Sequence, residues 1–273
     1  MRSAIGDKRG VSNDMRSAIS DQPPRALLFD LFGTVVHFAP SVPGVEAATP
    51  QWRSVMHWLE ETAERELPQI RFDDLLTVLM EVTQEIVHQR PPEYREVPSR
   101  ERFRRALLRL GVGAEQAPPL AERLSLAHMS HLASTIILPP AHVEVLEQLV
   151  SRLRLGLVSN FDHGPTARRI LADHKIAGFF TAIVISDDFG RRKPHPAIFA
   201  AALRELGVAL GDALFIGDSI SDDVVGAQNA RLKVVWLNSK RRPLPPEVKP
   251  PEYEITELGE LPLLLDRFLA ASR

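Results

Sequence analysis

The feature that most constrains the fold is the long stretch of chain between the first buried strand and the strands that follow it. Residues 25–29 (RALLF) form a short apolar run that ends at Asp30 and is followed by a Gly33-Thr34 turn. The next run of this kind begins at residue 153, and the chain between about residues 50 and 138 has helical periodicity. Because this connection is far longer than an ordinary loop, we predict a helical domain inserted after the first strand.

Beyond residue 150, segments with the pattern of strands alternate with segments that have the pattern of helices. The predicted strands after the first are 153–158, 182–185, 213–216 and 233–237. The predicted helices are 163–173, 196–206, 222–230 and 257–271, together with earlier ones near 51–67, 72–89, 99–110 and 119–135. This alternation is typical of an α/β fold with a doubly wound, parallel, Rossmann-like sheet that helices cover on both faces.

Proline pairs and changes of pattern divide the chain into three parts. We predict a core domain formed by residues 25–38 and 139–273, and an inserted all-helical cap domain formed by residues 39–138. In residues 1–24 the sequence MRSAI occurs at Met1 and again at Met15. We expect this segment to be a disordered extension, with Met15 as an alternative start.

The composition of the chain excludes several classes of function. Lys and Arg number 33 and Asp and Glu number 35, so the net charge of −2 favours neither nucleic acid nor an anionic membrane as a partner. No apolar run approaches the ~20 residues of a membrane span. The absence of cysteine excludes disulfide bonds, thiolate metal sites and a cysteine nucleophile, and it fits a reducing compartment, so we expect a cytoplasmic protein. No pattern in the chain indicates an oligomeric state.

Polar residues follow the carboxyl ends of the predicted strands. In chain order these groups are Asp30 to Thr34, Ser159-Asn160, Lys193, and Gly217-Asp218-Ser219 with Asp222 and Asp223. Each group alone is common in turns and helix caps. In an open parallel sheet, however, ligands bind outside the carboxyl ends of the strands, so the whole set in this order predicts one site at one edge of the sheet.

Together these segments resemble the motifs of haloacid dehalogenase superfamily hydrolases that carry a helical cap of the C1 type (subfamily IA). The resemblance covers nearly all of residues 25–238, and its most specific pieces are FDLFGTVV, LVSNFD, RRKPHPAIF and GDSISDDVVGAQNA. It implies a Mg²⁺-dependent hydrolase that acts on a small phosphorylated metabolite through an aspartyl-phosphate intermediate.

The resemblance also implies a role for each matching residue. Asp30 would be the nucleophile, and Ser159 would hydrogen-bond the transferring group. Lys193 would hold Asp30 in place and stabilise the negative charge that develops during the reaction. The implied contacts of the substrate are Gly33, Thr34, Ser159 and Asn160. The implied ligands of Mg²⁺ are Asp30, the backbone carbonyl of Phe32, and Asp218, supported from behind by Asp223, Ser219 and Asp222.

The chain departs from the family's phosphatases at Phe32. Those enzymes place a second Asp two residues after the nucleophile, where it protonates the leaving oxygen and then activates water. Phe32 cannot transfer a proton, and general acid–base catalysis contributes about 10²–10⁴ in rate. A phosphohydrolase of this kind would act on a good leaving group or borrow an acid from elsewhere, with His37, His57 and His88 as candidate donors.

Two other functions stay open at this point. A metal-independent 2-haloacid dehalogenase accepts an aromatic residue at position 32, because a halide leaves without a proton, but it leaves Asp218 unexplained. A weakly active or non-catalytic protein would use the same pocket only to bind a ligand. A phosphonatase is excluded because it needs a cap lysine, and none of the lysines (Lys8, Lys175, Lys193, Lys233, Lys240 and Lys249) lies in residues 39–138. The phosphohydrolase remains our prediction.

Overall fold

The structure is a computed structural model that describes residues 24–39 and 50–271, with side chains described at 24–39 and 57–267. The extension predicted for residues 1–24 therefore lies outside the described residues except at Pro24. In the described ranges, no helix combines the length and the hydropathy that a membrane crossing requires.

Within the described residues, six strands form one parallel sheet, which confirms the predicted α/β class. Their order across the sheet is β5-β4-β1-β6-β7-β8. Their bounds are β1 Ala26–Phe29, β4 Arg154–Ser159, β5 Ala182–Ile185, β6 Ala213–Gly217, β7 Lys233–Leu237 and β8 Tyr253–Ile255. Strand β1 lies in the middle, where Phe29 is in register with Leu157 of β4 and Ile216 of β6.

Helices cover both faces of this sheet, which is why its strands are almost wholly apolar. They are α5 Pro140–Val150, α6 Gly164–Asp173, α7 Ser186–Phe189, α8 Pro196–Leu206, α9 Val225–Asn229 and α10 Leu261–Ala271. Side chains of β1 alternate between two hydrophobic cores: Leu27 and Phe29 pack with residues of α5, α6 and α10, whereas Leu28 packs with residues of α8 and α9. The sheet is therefore a rigid platform whose carboxyl edge carries the loops discussed below.

The helix predicted for residues 222–230 differs from the structure. A widened π-helical turn spans Ile220–Val224, and the α-helix begins only at Val225. The Ser219 hydroxyl accepts a hydrogen bond from the Asp222 amide at 3.2 Å, and the Asp223 carboxylate accepts one from the Ser219 amide at 2.9 Å. These side-chain hydrogen bonds compete with the backbone hydrogen bonds of a regular α-helix. The turn that they form holds the Asp223 carboxylate at the edge of the sheet.

The residues between β1 and β4 include a helical bundle with its own core. Its helices are α1 Pro50–Glu66, α2 Phe72–His88, α3 Ser99–Arg109 and α4 Ala117–Ser134. Buried side chains such as Leu59, Leu75, Phe103 and Leu124 form a cluster separate from the cores of the sheet. The chain enters and leaves this bundle through β2 His37–Phe38 and β3 Ile136–Ile137, which pair antiparallel, so the two connections run side by side.

Candidate active site

Asp30 lies at the carboxyl end of the central strand β1, and its side chain is buried. Its amide donates a hydrogen bond to the carbonyl of Ile216 at 2.9 Å, which extends the β1–β6 pairing by one residue. The Lys193 ammonium lies 2.5 Å from Asp30 Oδ1. Burial raises the pKa of Asp30 above its usual value, although the ammonium of Lys193 opposes that shift.

Lys193 is buried between two carboxylates. Its Nζ is 2.5 Å from Asp30 Oδ1 and 2.8 Å from Asp223 Oδ1, and only 1% of its side chain is exposed. Burial disfavours the charged form, but the carboxylates of Asp223 and Asp30 outweigh that effect and hold the pKa of Lys193 above its usual value. The side chain is therefore a fixed positive charge at the nucleophile.

Asn160 positions Lys193 from the end of β4. Its Oδ1 accepts a hydrogen bond from the Lys193 amide at 2.7 Å, and its Nδ2 donates to the Lys193 carbonyl and to Asp222 Oδ2, both at 3.0 Å. Both amide hydrogens are thus bound to protein groups, as is the carbonyl oxygen. This geometry favours a positioning role for Asn160 over the substrate contact that the sequence suggested.

Asp30, Asp218 and Asp223 bring one carboxylate oxygen each to within 4.8 Å of the other two. Burial raises the pKa of Asp218 to about 6 and the pKa of Asp223 to about 7; repulsion from Asp223 adds to the first shift, and repulsion from Asp30 adds to the second. Such a cluster becomes fully ionised when a cation joins it. Carboxylate oxygens are also the ligands that Mg²⁺ prefers, so these residues fit the ion that the sequence predicted.

Two groups missed by sequence reasoning hold Asp218 in place. The Asp218 carbonyl accepts hydrogen bonds from Trp236 Nε1 at 3.1 Å and from the Arg242 guanidinium at 2.9 Å. Trp236 belongs to β7, and Arg242 follows that strand, so neither residue stands in the motif that contains Asp218. No local pattern indicated these contacts.

The turn after Asp30 fits closely against Asp218. Gly33 has φ +94°, and a Cβ at this position would lie 2.8 Å from the Asp218 carboxylate. The hydroxyls of Thr34 and Ser159 are buried, and they find no hydrogen-bond partner within the described part of the chain. Buried hydroxyls rarely stay unpaired, so each of the two has a hydrogen bond left to donate.

A cavity of about 140 Å³ opens over Asp30, with Lys193, Asp218, Arg192 and Phe32 among its lining residues. The Phe32 ring stacks on Phe161, with ring centroids 4.7 Å apart, and also on Phe38 at 5.7 Å. Position 32 therefore forms an apolar wall in the place where the family's phosphatases carry a proton donor. The aromatic stack is consistent with a residue that packs and takes no part in proton transfer.

The structure does not bring the three candidate histidines to this cavity. His37 packs against His142, His57 lies 3.4 Å from Glu61 on α1, and His88 is exposed at the end of α2. None of these histidines is among the residues that line the cavity. The suggestion that one of them supplies the missing acid is not supported by their positions.

Comparison with known proteins points to one family of hydrolases. The family model of haloacid dehalogenase-like hydrolases matches residues 24–231. The chain is 37% identical over 123 residues to the N-acylneuraminate-9-phosphatase of Mus musculus, covering 44% of this chain and 49% of that protein. It is 34% identical over 165 residues to the phosphoserine phosphatase of Thermus thermophilus, covering 60% and 64% respectively. The chain thus spans about half to two thirds of the length of these relatives.

A solved structure supports the same fold. The 2-haloacid dehalogenase of Pseudomonas syringae pv. tomato superposes with a TM-score of 0.68 at 24% identity, covering 90% of this chain and 99% of that one. The match of the family model extends over far more than half of the sequence and includes strands β1, β4, β5 and β6. The chain therefore belongs to the haloacid dehalogenase-like hydrolases.

Proposed function

We propose that this hydrolase is a Mg²⁺-dependent phosphohydrolase that acts on a small phosphorylated metabolite through a phosphoryl group on Asp30. The observation that carries the proposal is the convergence of Asp30, Asp218 and Asp223 within 4.8 Å around a buried Lys193. The names of the relatives from mouse and Thermus, both phosphatases, support the same reaction class.

In this proposal the carboxylate of Asp30 attacks the phosphorus atom while the bond from phosphorus to the leaving oxygen breaks, and the leaving group departs. In a second step water attacks the phosphoryl group on Asp30, which releases phosphate and restores the carboxylate. Lys193 holds the attacking carboxylate in place and balances charge on the transferring group. Ser159 and Thr34 donate their unpaired hydroxyls to phosphoryl oxygens. Mg²⁺ held by Asp30 and Asp218, with the carbonyl of Phe32 as a further ligand, would supply positive charge for the phosphoryl oxygens.

The substrate has to suit the apolar wall at Phe32. Since no acid is available at this position, the leaving group departs without a proton from residue 32. General acid catalysis is worth about 10²–10⁴ in rate, so simple alkyl phosphates are expected to be poor substrates. Acyl and aryl phosphates, whose leaving groups are stable as anions, are expected to be the better ones.

The test is a steady-state assay of the purified chain with acetyl phosphate, p-nitrophenyl phosphate and sugar phosphates, with Mg²⁺ and with EDTA. We expect turnover that requires Mg²⁺ and that Asp30→Asn and Asp218→Asn abolish. Ser221→Ala is the matched control, because Ser221 is an exposed residue of the same turn. Turnover that persists in EDTA, or that survives Asp30→Asn, contradicts the proposal.

A metal-independent C–halogen hydrolase is the second candidate. It is favoured by the stack of Phe32 on Phe161 and Phe38, since an apolar wall beside the nucleophile suits a carbon–halogen bond and a halide needs no proton. The test is chloride release from 2-chloropropionate in EDTA. Release that Asp218→Asn leaves intact would establish this candidate and refute the phosphohydrolase.

A further inference from the structure

A second cavity lies between helices α2, α3 and α4 of the helical bundle. Its volume is about 260 Å³, and the residues that line it include Leu76, Leu79, Met80 and Thr83 of α2, Arg102 of α3 and His128 of α4. This cavity and the cavity over Asp30 have no lining residue in common. The bundle therefore encloses a space that the proposed reaction does not use.

The wall that α2 contributes to this cavity is mainly apolar. Leu76 lies four residues before Met80, and Leu79 has the same spacing to Thr83, so these side chains share one side of the helix. The Thr83 hydroxyl donates to the Leu79 carbonyl at 2.7 Å and is thus already bound. Leu79 is buried in the core of the bundle, whereas Met80 is 55% exposed, so the wall extends from that core to the surface. Such a wall favours an occupant that is mostly hydrocarbon.

His128 lines the same cavity and has unused hydrogen-bonding capacity. Its side chain is buried, its Nδ1 has no partner, and no described residue bonds to its Nε2. The ring packs edge-on against Phe103, with centroids 6.1 Å apart. Burial lowers the pKa of His128 to about 4, so near pH 7 the neutral ring has one donor and one acceptor nitrogen. Buried polar groups normally have a partner, and the cavity leaves room for one beside this ring.

The other charged side chain at the cavity is already neutralised. Arg102 Nη2 lies 3.0 Å from Asp162 Oδ2, and both side chains are about four-fifths buried. Arg102 Nε is buried without a partner, which leaves one further donor on this wall. Because the guanidinium has its carboxylate, an anion would lose its hydration in the cavity and gain little from Arg102. The cavity therefore favours an uncharged occupant with one polar group.

The volume of the cavity limits the size of that occupant. An apolar cavity of about 150 Å³ binds benzene. The present cavity is larger, but it is smaller than the 300–1,000 Å³ of sites for drug-sized ligands. It has room for one aromatic ring with a short substituent, and the thioether of Met80 makes favourable contacts with aromatic rings.

We propose that this cavity is a binding site for a small uncharged phenol whose hydroxyl group forms a hydrogen bond with His128. A hydroxyl both donates and accepts, so it matches whichever ring nitrogen it meets. The ring of the ligand packs against the apolar wall of α2. The inference goes beyond the proposed phosphohydrolase function and does not depend on it, since no group that acts at Asp30 lines this cavity.

The experiment compares p-cresol with p-xylene by isothermal titration calorimetry of the full chain near pH 7. The two molecules have the same shape, and a hydroxyl in the first replaces a methyl group in the second. We expect the wild type to bind both. In His128→Leu the ratio of the two affinities should shift against p-cresol by about threefold to tenfold, the typical value of one neutral hydrogen bond. A general change in the cavity affects both probes and leaves this ratio unchanged.

His131→Leu is the matched control, because it makes the same substitution one turn further along α4. His131 stacks on Trp58 and does not line the cavity, so this variant should keep the wild-type ratio. Thr83→Phe places a ring in the cavity and should weaken the binding of both probes at least about tenfold. Asp218→Asn, which alters only the cavity over Asp30, should bind p-cresol as the wild type does.

Three results would overturn the inference. The first is that p-cresol does not bind to the wild type up to its limit of solubility. The second is that His128→Leu keeps the wild-type ratio of affinities. The third is that Asp218→Asn loses the binding of p-cresol, which would assign the probe to the cavity over Asp30.

Discussion

Replacement of Gly33 by alanine tests the geometry of the site most directly. A Cβ at this position would lie 2.8 Å from three atoms of the Asp218 carboxylate, whereas ordinary contact begins at 3.4 Å. The Asp218 carboxylate must therefore move by about 0.6 Å or more away from its position in the cluster with Asp30 and Asp223. The φ of +94° adds backbone strain of about 1–3 kcal/mol for a residue with a side chain.

The two effects separate with Gly111→Ala as a control. Gly111 has a similar φ of +83°, but nothing lies within 4 Å of a Cβ built there. Both variants should lose about 1–3 kcal/mol in the free energy of unfolding, measured by urea denaturation in EDTA. Gly33→Ala alone should also lose about 10–100-fold in Mg²⁺ affinity, because displacement of a ligand or of its support has that typical cost.

Mg²⁺ affinity is measured by titration of activity and by calorimetry in parallel. Gly33→Ala should bind Mg²⁺ more weakly than Gly111→Ala; equal affinities, with both variants equally destabilised, would contradict this prediction. In that case Asp218 either tolerates the methyl group or does not hold the ion.

Three further predictions concern other parts of the molecule. Burial, aided by Arg102 and His131, lowers the pKa of His128 to about 4, so protonation favours the unfolded chain as the pH falls from 6.5 to about 4. Over that pH range the free energy of unfolding of the wild type, measured by urea denaturation, should fall by about 3 kcal/mol more than that of His128→Leu. The same pH dependence in both proteins would contradict this. Phe32→Asp should raise kcat for alkyl phosphates by about 10²-fold by restoring a proton donor; an unchanged rate means that protonation does not limit turnover. Lys193→Met leaves two buried carboxylates without their ammonium and should lower the free energy of unfolding in EDTA by about 3–5 kcal/mol, whereas a stability equal to that of the wild type would show that the buried ion pairs make no net contribution to folding.

The sheet edge could be predicted from the sequence because one rule connects local pattern to position. Parallel strands bring their carboxyl ends to the same side, so the polar groups after β1, β4 and β6 had to meet. Asp30, Lys193, Asp218 and Asp223 do lie together in the structure. Short apolar runs and the residues directly after them were sufficient evidence for this part of the fold.

Other elements lacked such a signal. Strand β8 has three residues and follows Pro250 and Pro251, so its segment has the composition of a loop. It pairs in parallel with β7, whose outer side would otherwise be an unpaired edge of the sheet. The widened turn at Ile220–Val224 has the same periodicity as a helix, and it is distinguished only by where the Asp223 carboxylate binds. A tertiary contact decides the first case, and a local side-chain hydrogen bond decides the second.

The contact between cap and core was beyond sequence reasoning for a different reason. Arg90 and Arg192 are 102 residues apart in number, and each stands in an arginine-rich stretch that has the appearance of a solvated surface. Whether they come near each other depends on how the helical bundle packs against the chain beside the sheet, which no periodicity encodes. The Arg192 amide donates to the Tyr94 carbonyl across this contact, which joins two segments that are far apart in the sequence.

The charges of the site distinguish the two proposed reactions more clearly than Phe32 does. Asp30, Asp218 and Asp223 carry three negative charges when ionised, and the buried Lys193 supplies one positive charge. The remaining two negative charges match one divalent cation. Without that cation, the pKa of Asp223 is about 7, so Asp223 is partly protonated near neutral pH. A metal-free dehalogenase would leave the repulsion between Asp218 and Asp223 without a divalent counter-charge. The aromatic wall at Phe32 limits the leaving group in either reaction, but the uncompensated carboxylates favour phosphoryl transfer with Mg²⁺.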